Sequence, residues 1–415
     1  MIYKQEEYPR IVLYSADFKD FEQIYRNLLI AKTFSNSDLK PNILVISGAQ
    51  TTPEFLQLNG IDYITLPKIG TEINSSFLEG NLKLLFEQII ELRRQIIYTI
   101  IKQFDPEIFI VDSIPWGLGN ELDISLDYLY KKKNTYCILG IPDVWDEPST
   151  IRKEWHQKLN YISVKKYYYQ IWVYGYSSIY DVIDEYGIPP NISNKIRYTG
   201  YLCHEPNNTV ESLNDENTLN NLLESIIKNK FVLCIINEVD TDVKLATEFI
   251  GSNLPKDVFG IVLVNCKLNK NTFHRLFNLA NKYNNFYLID YFSNNEILIK
   301  KAICIVSSGT YSVISKILSY KNNALIIPKI NSNKEQFIRT LRLNEHGVFD
   351  IINYDDVSKK KISFWIKDNI NKKTKRKYDQ INKEGLKNVD SLFTAIITKT
   401  KMTINNNDIN SDRMQ

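Results

Sequence analysis

Residues Cys304–Val313 read CIVSSGTYSV, and this is the most informative stretch of the sequence. An apolar run typical of a buried strand leads into the small-residue turn Ser308–Thr310, after which a helical pattern begins. Small residues let backbone N–H groups approach an anion, and a helix N-terminus adds partial positive charge. The stretch is therefore consistent with a phosphate-binding turn, or with the commoner tight connection between a strand and a helix.

Short β-rich runs alternate with helical stretches along the rest of the chain, for example in the helical pattern Phe77–Phe104 that stops at Asp105–Pro106. In the N-terminal half the predicted strands are Arg10–Tyr14, Asn42–Ser47, Tyr63–Leu66, Ile108–Val111, Tyr136–Leu139 and Ile171–Tyr174. In the C-terminal half they are Phe231–Ile236, Gly260–Val264, Phe286–Leu288, Cys304–Val306 and Ala324–Ile327. Two such sets predict an α/β chain of two Rossmann-like, doubly wound domains that face a central cleft.

The polar segment His204–Asn217 reads as the linker between the two sets. We predict an N-terminal domain at 1–205 and a C-terminal domain at 206–355. Helices at 356–398 should cross back to the first domain, and a polar tail at 399–415 should be disordered.

Composition narrows the functional classes. The chain has 415 residues, 51 Lys+Arg and 48 Asp+Glu, so its near-neutral charge offers no electrostatic case for nucleic-acid binding. Its five cysteines are widely spaced and lack metal-ligand spacing, so we expect reduced core residues and no structural metal. With no signal pattern and no long apolar run, we expect a cytoplasmic protein.

The turn at Gly309 belongs to a longer pattern that resembles a known family. In the predicted bacterial glycosyltransferases related to the lipid II N-acetylglucosaminyltransferase (glycosyltransferase family 28-like), a strand enters GGYNTVxEIL and the next strand leads to a P…EQ…RA.RL…G segment. The counterparts here are Gly309–Val313, Lys316–Leu318, Pro328, Glu335, Gln336, Arg339, Arg342, Leu343 and Gly347.

The resemblance continues into the first half and covers residues 8 to about 350. The segment Leu92–Gly117 looks like the family's helix, Asp-Pro stop, strand and Pro-aromatic-Gly loop. Gly140–Asp146 and Val173–Leu202 resemble two further segments of that half, in the same order. The resemblance implies the two-domain GT-B fold.

The implied activity is transfer of a sugar from a nucleotide-diphosphate donor, a UDP-sugar, to an unidentified acceptor, with no cofactor. The chemistry requires stabilisation of the departing diphosphate, for which the helix start and a cation would suffice without a divalent metal. The resemblance implies that Glu335 and Gln336 bind sugar hydroxyls, although the same pair fits a solvated first helical turn. The donor-binding candidates are Ser308, Gly309, Thr310, Tyr311, Glu335, Gln336 and Arg339.

The general base has two candidates, Asp17 and Asp143. Both follow predicted strands and would lie at carboxyl ends that face the crevice. Asp143 could instead cap the N-terminus of the following helix. For Asp146 we prefer this interpretation as a helix cap.

Two departures from the family weigh against an unchanged mechanism. The family's first loop has glycines where this chain has Asp20 and Glu22, although the arginine is retained as Arg26. The family's ribose-binding glutamate aligns with Lys316, which cannot accept hydrogen bonds. In a working enzyme we expect the loop Ser15–Gln23 to turn its carboxylates from the cleft or to use Asp17 as the base.

Two alternatives stay open. One is a non-catalytic GT-B scaffold that binds a ligand or partner, and the other, which we rank last, is a sugar-nucleotide epimerase. The basic run Lys372–Lys377 fits a weak peripheral membrane contact or, more commonly, a solvated helix face.

Overall fold

The computed structural model describes most of the chain. The residues described are 8–16, 22–49, 60–69, 82, 84–157, 159–203, 227–237, 239–264, 268–290, 296–329, 334–372 and 376–412, without side chains at 239–241 and 400–412. The predicted linker at 204–217 and Asp17 lie outside these ranges.

A seven-stranded sheet forms the first domain, with the order β3-β2-β1-β4-β5-β6-β7. Its strand pairs are all parallel. The strands are rich in Ile and Val because helices cover both faces of a parallel sheet. They are β1 (Arg10–Ser15), β2 (Asn42–Ser47), β3 (Ile61–Thr65), β4 (Ile108–Asp112), β5 (Tyr136–Pro142), β6 (Tyr168–Tyr174) and β7 (Ile196–Tyr198).

A six-stranded parallel sheet forms the second domain and repeats the same winding, in the order β10-β9-β8-β11-β12-β13. Its strands are β8 (Lys230–Ile236), β9 (Val258–Val264), β10 (Phe286–Ile289), β11 (Cys304–Ser307), β12 (Asn323–Ile326) and β13 (Asp350–Ile351). Strand order reverses between β1 and β4 in the first sheet and between β8 and β11 in the second. Ligands of such folds bind beyond the carboxyl ends of the strands at these points.

Helices connect the strands of each sheet. They are α1 (Glu22–Ser35), α2 (Phe86–Phe104), α3 (Asp123–Lys132), α4 (Pro148–Gln157), α5 (Asn160–Tyr167), α6 (Val182–Tyr186), α7 (Pro190–Ser193), α8 (Val239–Phe249), α9 (Lys270–Ala280), α10 (Glu296–Lys301), α11 (Tyr311–Tyr320), α12 (Glu335–Glu345), α13 (Lys359–Asn369) and α14 (Gly385–Asp412). Helix α14 packs against α1 of the first domain, where the rings of Phe393 and Phe34 lie 4.4 Å apart.

The prediction of two doubly wound parallel sheets is confirmed, with differences in detail. Sequence patterns miss β7 and β13 because strands of two or three residues carry no periodic signal. Helix α14 continues to Asp412, into the range predicted as disordered; its last part is polar but contains neither Gly nor Pro to stop a helix. Four of the five cysteines are buried and free, as expected: Cys137, Cys203, Cys234 and Cys304.

Candidate functional site

The predicted phosphate-binding turn lies at the strand-order reversal of the second sheet. After β11, the hydroxyl of Ser308 donates a hydrogen bond to the buried carboxylate of Asp242 at 3.1 Å. The hydroxyl of Thr310 accepts one from the side chain of Asn237 at 3.0 Å. The turn is thus held by the segment that follows β8, and α11 begins directly after it.

Glu22, the first residue of α1, reaches across from the first domain to the start of α11. Its carboxylate accepts hydrogen bonds from the backbone N–H of Ser312 at 2.8 Å and from the Ser312 hydroxyl at 2.5 Å. Of the acidic residues in the loop Ser15–Gln23, Glu22 therefore points towards the second domain, while Asp17 and Asp20 lie outside the described residues. A helix N-terminus attracts a carboxylate as it attracts a phosphate, because both carry negative charge and acceptor oxygens.

Gly309 is required by packing as well as by any ligand. A Cβ at this position would lie 2.3 Å from the Thr340 hydroxyl oxygen and 3.1 Å from the Gln336 carbonyl oxygen, both on α12. We therefore expect Gly309→Val to separate α11 from α12 and to disturb the fold itself, besides any effect on a ligand.

Arg339 and Asp143 are paired with each other across the two domains. The Arg339 Nε lies 2.7 Å from an Asp143 carboxylate oxygen, and both side chains are buried, at 0% and 1% exposure. The second Asp143 oxygen accepts a hydrogen bond from the Tyr201 hydroxyl at 2.8 Å. Burial opposes a charged guanidinium, but the Asp143 carboxylate raises the Arg339 pKa well above its ordinary value.

The pair Glu335 and Gln336 begins α12 beside this contact. Glu335 accepts a hydrogen bond from Arg339 at 2.6 Å, and Gln336 is buried. The first turn of α12 is thus partly committed to the contact between the domains, rather than being a freely solvated turn.

Tyr311 lies between two guanidinium groups. Its ring centroid is 5.6 Å from the Arg26 Cζ and 5.4 Å from the Arg339 Cζ, distances at which a cation interacts with a ring face. Its hydroxyl accepts a hydrogen bond from the Leu202 backbone N–H at 3.0 Å. The first residue of α11 is therefore a buried packing residue of the domain contact.

Arg26 is bound within the first domain. It makes two hydrogen bonds to Asp112, the last residue of β4, at 2.6 and 2.9 Å, and one to the hydroxyl of Ser113 at 3.2 Å. Sequence reasoning missed Asp112, although an acid that ends a buried strand was a usable signal. It also missed Tyr201 and Asp242, which no local pattern marks.

Lys316 is buried on the side of α11 that faces α1. Its ammonium lies 5.2 Å from the ring centroid of Tyr25. Burial lowers its pKa from the ordinary value, and the carboxylates of Glu296 and Glu22 oppose that shift in part. The Lys316 side chain therefore packs between α1 and α11.

Surface pairs surround the buried contacts. Lys334 donates from its backbone N–H to Asp146 at 2.8 Å, and its ammonium lies 3.0 Å from Glu147. Arg342 lies 2.6 Å from Glu185. Asp146 thus joins the two domains, a contact that the helix-cap reading did not anticipate. We call the contacts of Glu22, Asp143, Asp146 and Glu185 with the second domain the junction.

The described part of the chain contains neither a metal-binding cluster nor a membrane-spanning helix. Within those ranges, no group of three or more His, Cys, Asp or Glu side chains is placed to hold a metal ion. No described helix is long and apolar enough to cross a membrane.

Comparison with solved structures identifies the fold. The chain resembles the UDP-GlcNAc 2-epimerase from Neisseria meningitidis bound to UDP-GlcNAc, with 13% identity, a TM-score of 0.59 and coverage of 94% of this chain and 100% of that one. It resembles the glycosyltransferase VinC in complex with DTDP, with 11% identity, a TM-score of 0.58 and coverage of 95% and 100%. It also resembles CalG4, the calicheamicin glycosyltransferase, with 8% identity, a TM-score of 0.57 and coverage of 94% of this chain and 99% of that one.

The chain therefore has the GT-B fold of two Rossmann-like domains, which nucleotide-sugar glycosyltransferases and UDP-GlcNAc 2-epimerases share. No protein-family profile matches it, and no curated protein matches its sequence.

Proposed function

We propose that this protein is a glycosyltransferase that moves a sugar from a UDP-sugar to an acceptor hydroxyl without a divalent metal. One observation carries the proposal: the start of α11, at the strand-order reversal of the second sheet, holds a carboxylate through a backbone N–H and a hydroxyl. A diphosphate offers the same chemistry with more oxygens and more charge. The sequence resemblance to glycosyltransferases related to the lipid II enzyme supports the same assignment.

In this proposal the segment Ser308–Ser312 receives the donor diphosphate, and Arg339 supplies positive charge as the sugar departs. Glu335 and Gln336 bind sugar hydroxyls. Because Arg339 is paired with Asp143, a bound diphosphate would have to draw the guanidinium towards itself. That movement would release the Asp143 carboxylate.

Asp17 is the first candidate for the base, because both carboxylate oxygens of Asp143 already accept hydrogen bonds. We expect Asp17→Asn to lower turnover by about two to four orders of magnitude while donor affinity stays unchanged. Asp62→Asn, at an exposed position of β3, is the matched control and should leave turnover intact. Full activity in Asp17→Asn would transfer the role to Asp143.

Calorimetry with UDP, dTDP and UDP-sugars in EDTA tests donor binding, and NMR of a UDP-sugar mixture tests turnover. Transfer or slow donor hydrolysis in EDTA is the expected result. Because epimerases share this fold at similar TM-scores, the same spectra are inspected for a C2-epimerised sugar. Epimerisation without transfer would replace the proposal.

The second candidate is a non-catalytic GT-B scaffold. It is favoured by the buried pair of Arg339 and Asp143, which commits two proposed site residues to each other. A folded protein that binds no nucleotide and hydrolyses no donor would establish this reading.

Peripheral membrane contact through Lys372–Lys377 is the remaining part of the proposal. Lys372 is paired with Asp368 at 2.5 Å, and Arg376 is paired with Asp350. These acidic partners weaken the positive electrostatic potential of the segment Lys372–Lys377. Co-sedimentation with anionic vesicles at low and physiological salt tests it, and protein left in the supernatant at both salt concentrations would remove it.

A further inference from the structure

The contact between Glu22 and Ser312 joins residues that are 290 positions apart in the chain. Both carboxylate oxygens of Glu22 are used, one by the backbone N–H and the other by the hydroxyl of Ser312. Glu22 thus takes two donors in the first turn of α11, which the proposed function assigns to a phosphate.

The surroundings of this contact favour negative charge. Arg26 and Lys316 lie close enough for the Glu22 carboxylate to raise the pKa of each, in addition to the larger effects of burial and of their nearer partners. The Thr310 hydroxyl lies 3.3 Å from that of Ser312. The start of α11 therefore combines a backbone donor, neighbouring hydroxyls and two nearby cations, which are groups that can hold an anion.

A further hydroxyl at the same turn has no hydrogen bond within the described ranges. The Thr340 side chain is fully buried, and its oxygen points at Gly309, where a Cβ would approach it to 2.3 Å. A buried hydroxyl without a partner is uncommon, because burial removes its hydrogen bonds to water and nothing in the protein replaces them. This hydroxyl lies beside the turn, and Glu22 does not satisfy it.

We propose that Glu22 is an internal competitor for the anion site at the start of α11, so that an anionic ligand binds only after the contact between Glu22 and Ser312 has opened. This inference rests on the proposed function only for the identity of that ligand as a nucleotide diphosphate. The apparent dissociation constant of such a ligand equals its intrinsic value divided by the fraction of molecules in which the contact is open.

The competitor model predicts the direction in which replacing Glu22 changes the affinity for an anion. Glu22→Gln removes the charge but keeps the length of the side chain, so it should weaken the contact with Ser312 and also remove repulsion of an incoming anion. A Glu22 carboxylate that instead bound ligand hydroxyls would have the opposite effect, since its loss would weaken binding.

The experiment measures the affinity of inorganic pyrophosphate and of UDP by calorimetry, with the full chain and with two variants. Glu22→Gln should bind both probes about tenfold more tightly than the wild type. The matched control is Glu87→Gln, because Glu87 also lies in the first turn of a first-domain helix but is exposed. It should match the wild type, and equal melting temperatures verify folding.

The outcomes separate the two proposals. Tighter pyrophosphate binding in Glu22→Gln without any UDP binding supports the competitor and overturns the UDP-sugar proposal. UDP binding of equal or lower affinity in Glu22→Gln overturns the competitor and leaves the donor proposal standing. Failure of every variant to bind either probe overturns both.

Discussion

Two buried arginine–aspartate pairs lie at the carboxyl ends of neighbouring strands, and they differ in where the arginine comes from. Asp112 ends β4 and pairs with Arg26 from α1 of the same domain. Asp143 directly follows β5 and pairs with Arg339 from α12 of the other domain. All four side chains are at most 3% exposed.

The difference shows how similar chemistry can build one domain or join two. The first pair forms whenever the first domain folds, because α1 packs on the sheet that carries Asp112. The second pair forms only when the domains are docked, and opening the junction would return both charges to water. The pairs are linked through Tyr311, whose ring both guanidiniums contact.

The largest expected effect comes from removing each arginine. Arg26→Met should lower the free energy of unfolding by about 3–5 kcal/mol, because Asp112 is left buried and unpaired. Arg339→Met should cost less, because Asp143 can regain water when the domains separate. Urea unfolding measures the first effect, and small-angle X-ray scattering should show a larger radius of gyration only for Arg339→Met.

The control for both is Arg342→Met, which removes a surface pair with Glu185. That side chain is 40% exposed, so the cost should be under about 1 kcal/mol. An expanded Arg26→Met protein, or an unchanged radius for Arg339→Met, would contradict the assignment of one pair to the domain and the other to the junction.

An intermediate effect is expected for Tyr311→Phe. The change keeps the ring between the two guanidiniums but removes the acceptor of the Leu202 N–H, which should cost about 1–3 kcal/mol in the free energy of unfolding. Tyr174→Phe is a matched control, because the buried hydroxyl of Tyr174 has no hydrogen bond in the part of the chain that the structure describes. If Tyr311→Phe and Tyr174→Phe lowered the free energy of unfolding by the same amount in urea, the Leu202 hydrogen bond would make no net contribution to stability.

The smallest effect concerns Lys316 and depends on pH. Burial holds its folded-state pKa below 10.5, so the unfolded chain binds this proton more tightly and the folded protein gains stability as the pH rises towards 10.5. Lys316→Met should therefore raise the free energy of unfolding at pH 7, by up to about 1 kcal/mol, and by less at pH 9.5. A loss of stability of equal size at both pH values would show that the contact with Tyr25 outweighs the burial cost.

Much of the fold could be predicted from the sequence. Runs such as Phe231–Ile236 and Asn42–Ser47 identify strands because residues buried on both faces of a sheet must be continuously apolar. Their alternation with helical patterns identifies two parallel sheets, and the turn at Ser308–Thr310 marks the end of a strand at which an anion can bind. These features depend on residues within one element or between neighbouring elements of the chain.

The partners of the candidate site residues required the tertiary structure. The family resemblance suggests Arg339 as a donor-facing cation, and its place after a predicted strand suggests Asp143 as a base. Nothing near either residue in the sequence shows that they bind each other. The same holds for Glu22, which the sequence marks only as an acid in place of a glycine. Strand and helix patterns are local, so the amino-acid sequence was enough to predict two similar doubly wound domains. The docking of those domains decided which charges meet, because contacts between residues 290 and 196 positions apart arise only from the relative placement of two folded units.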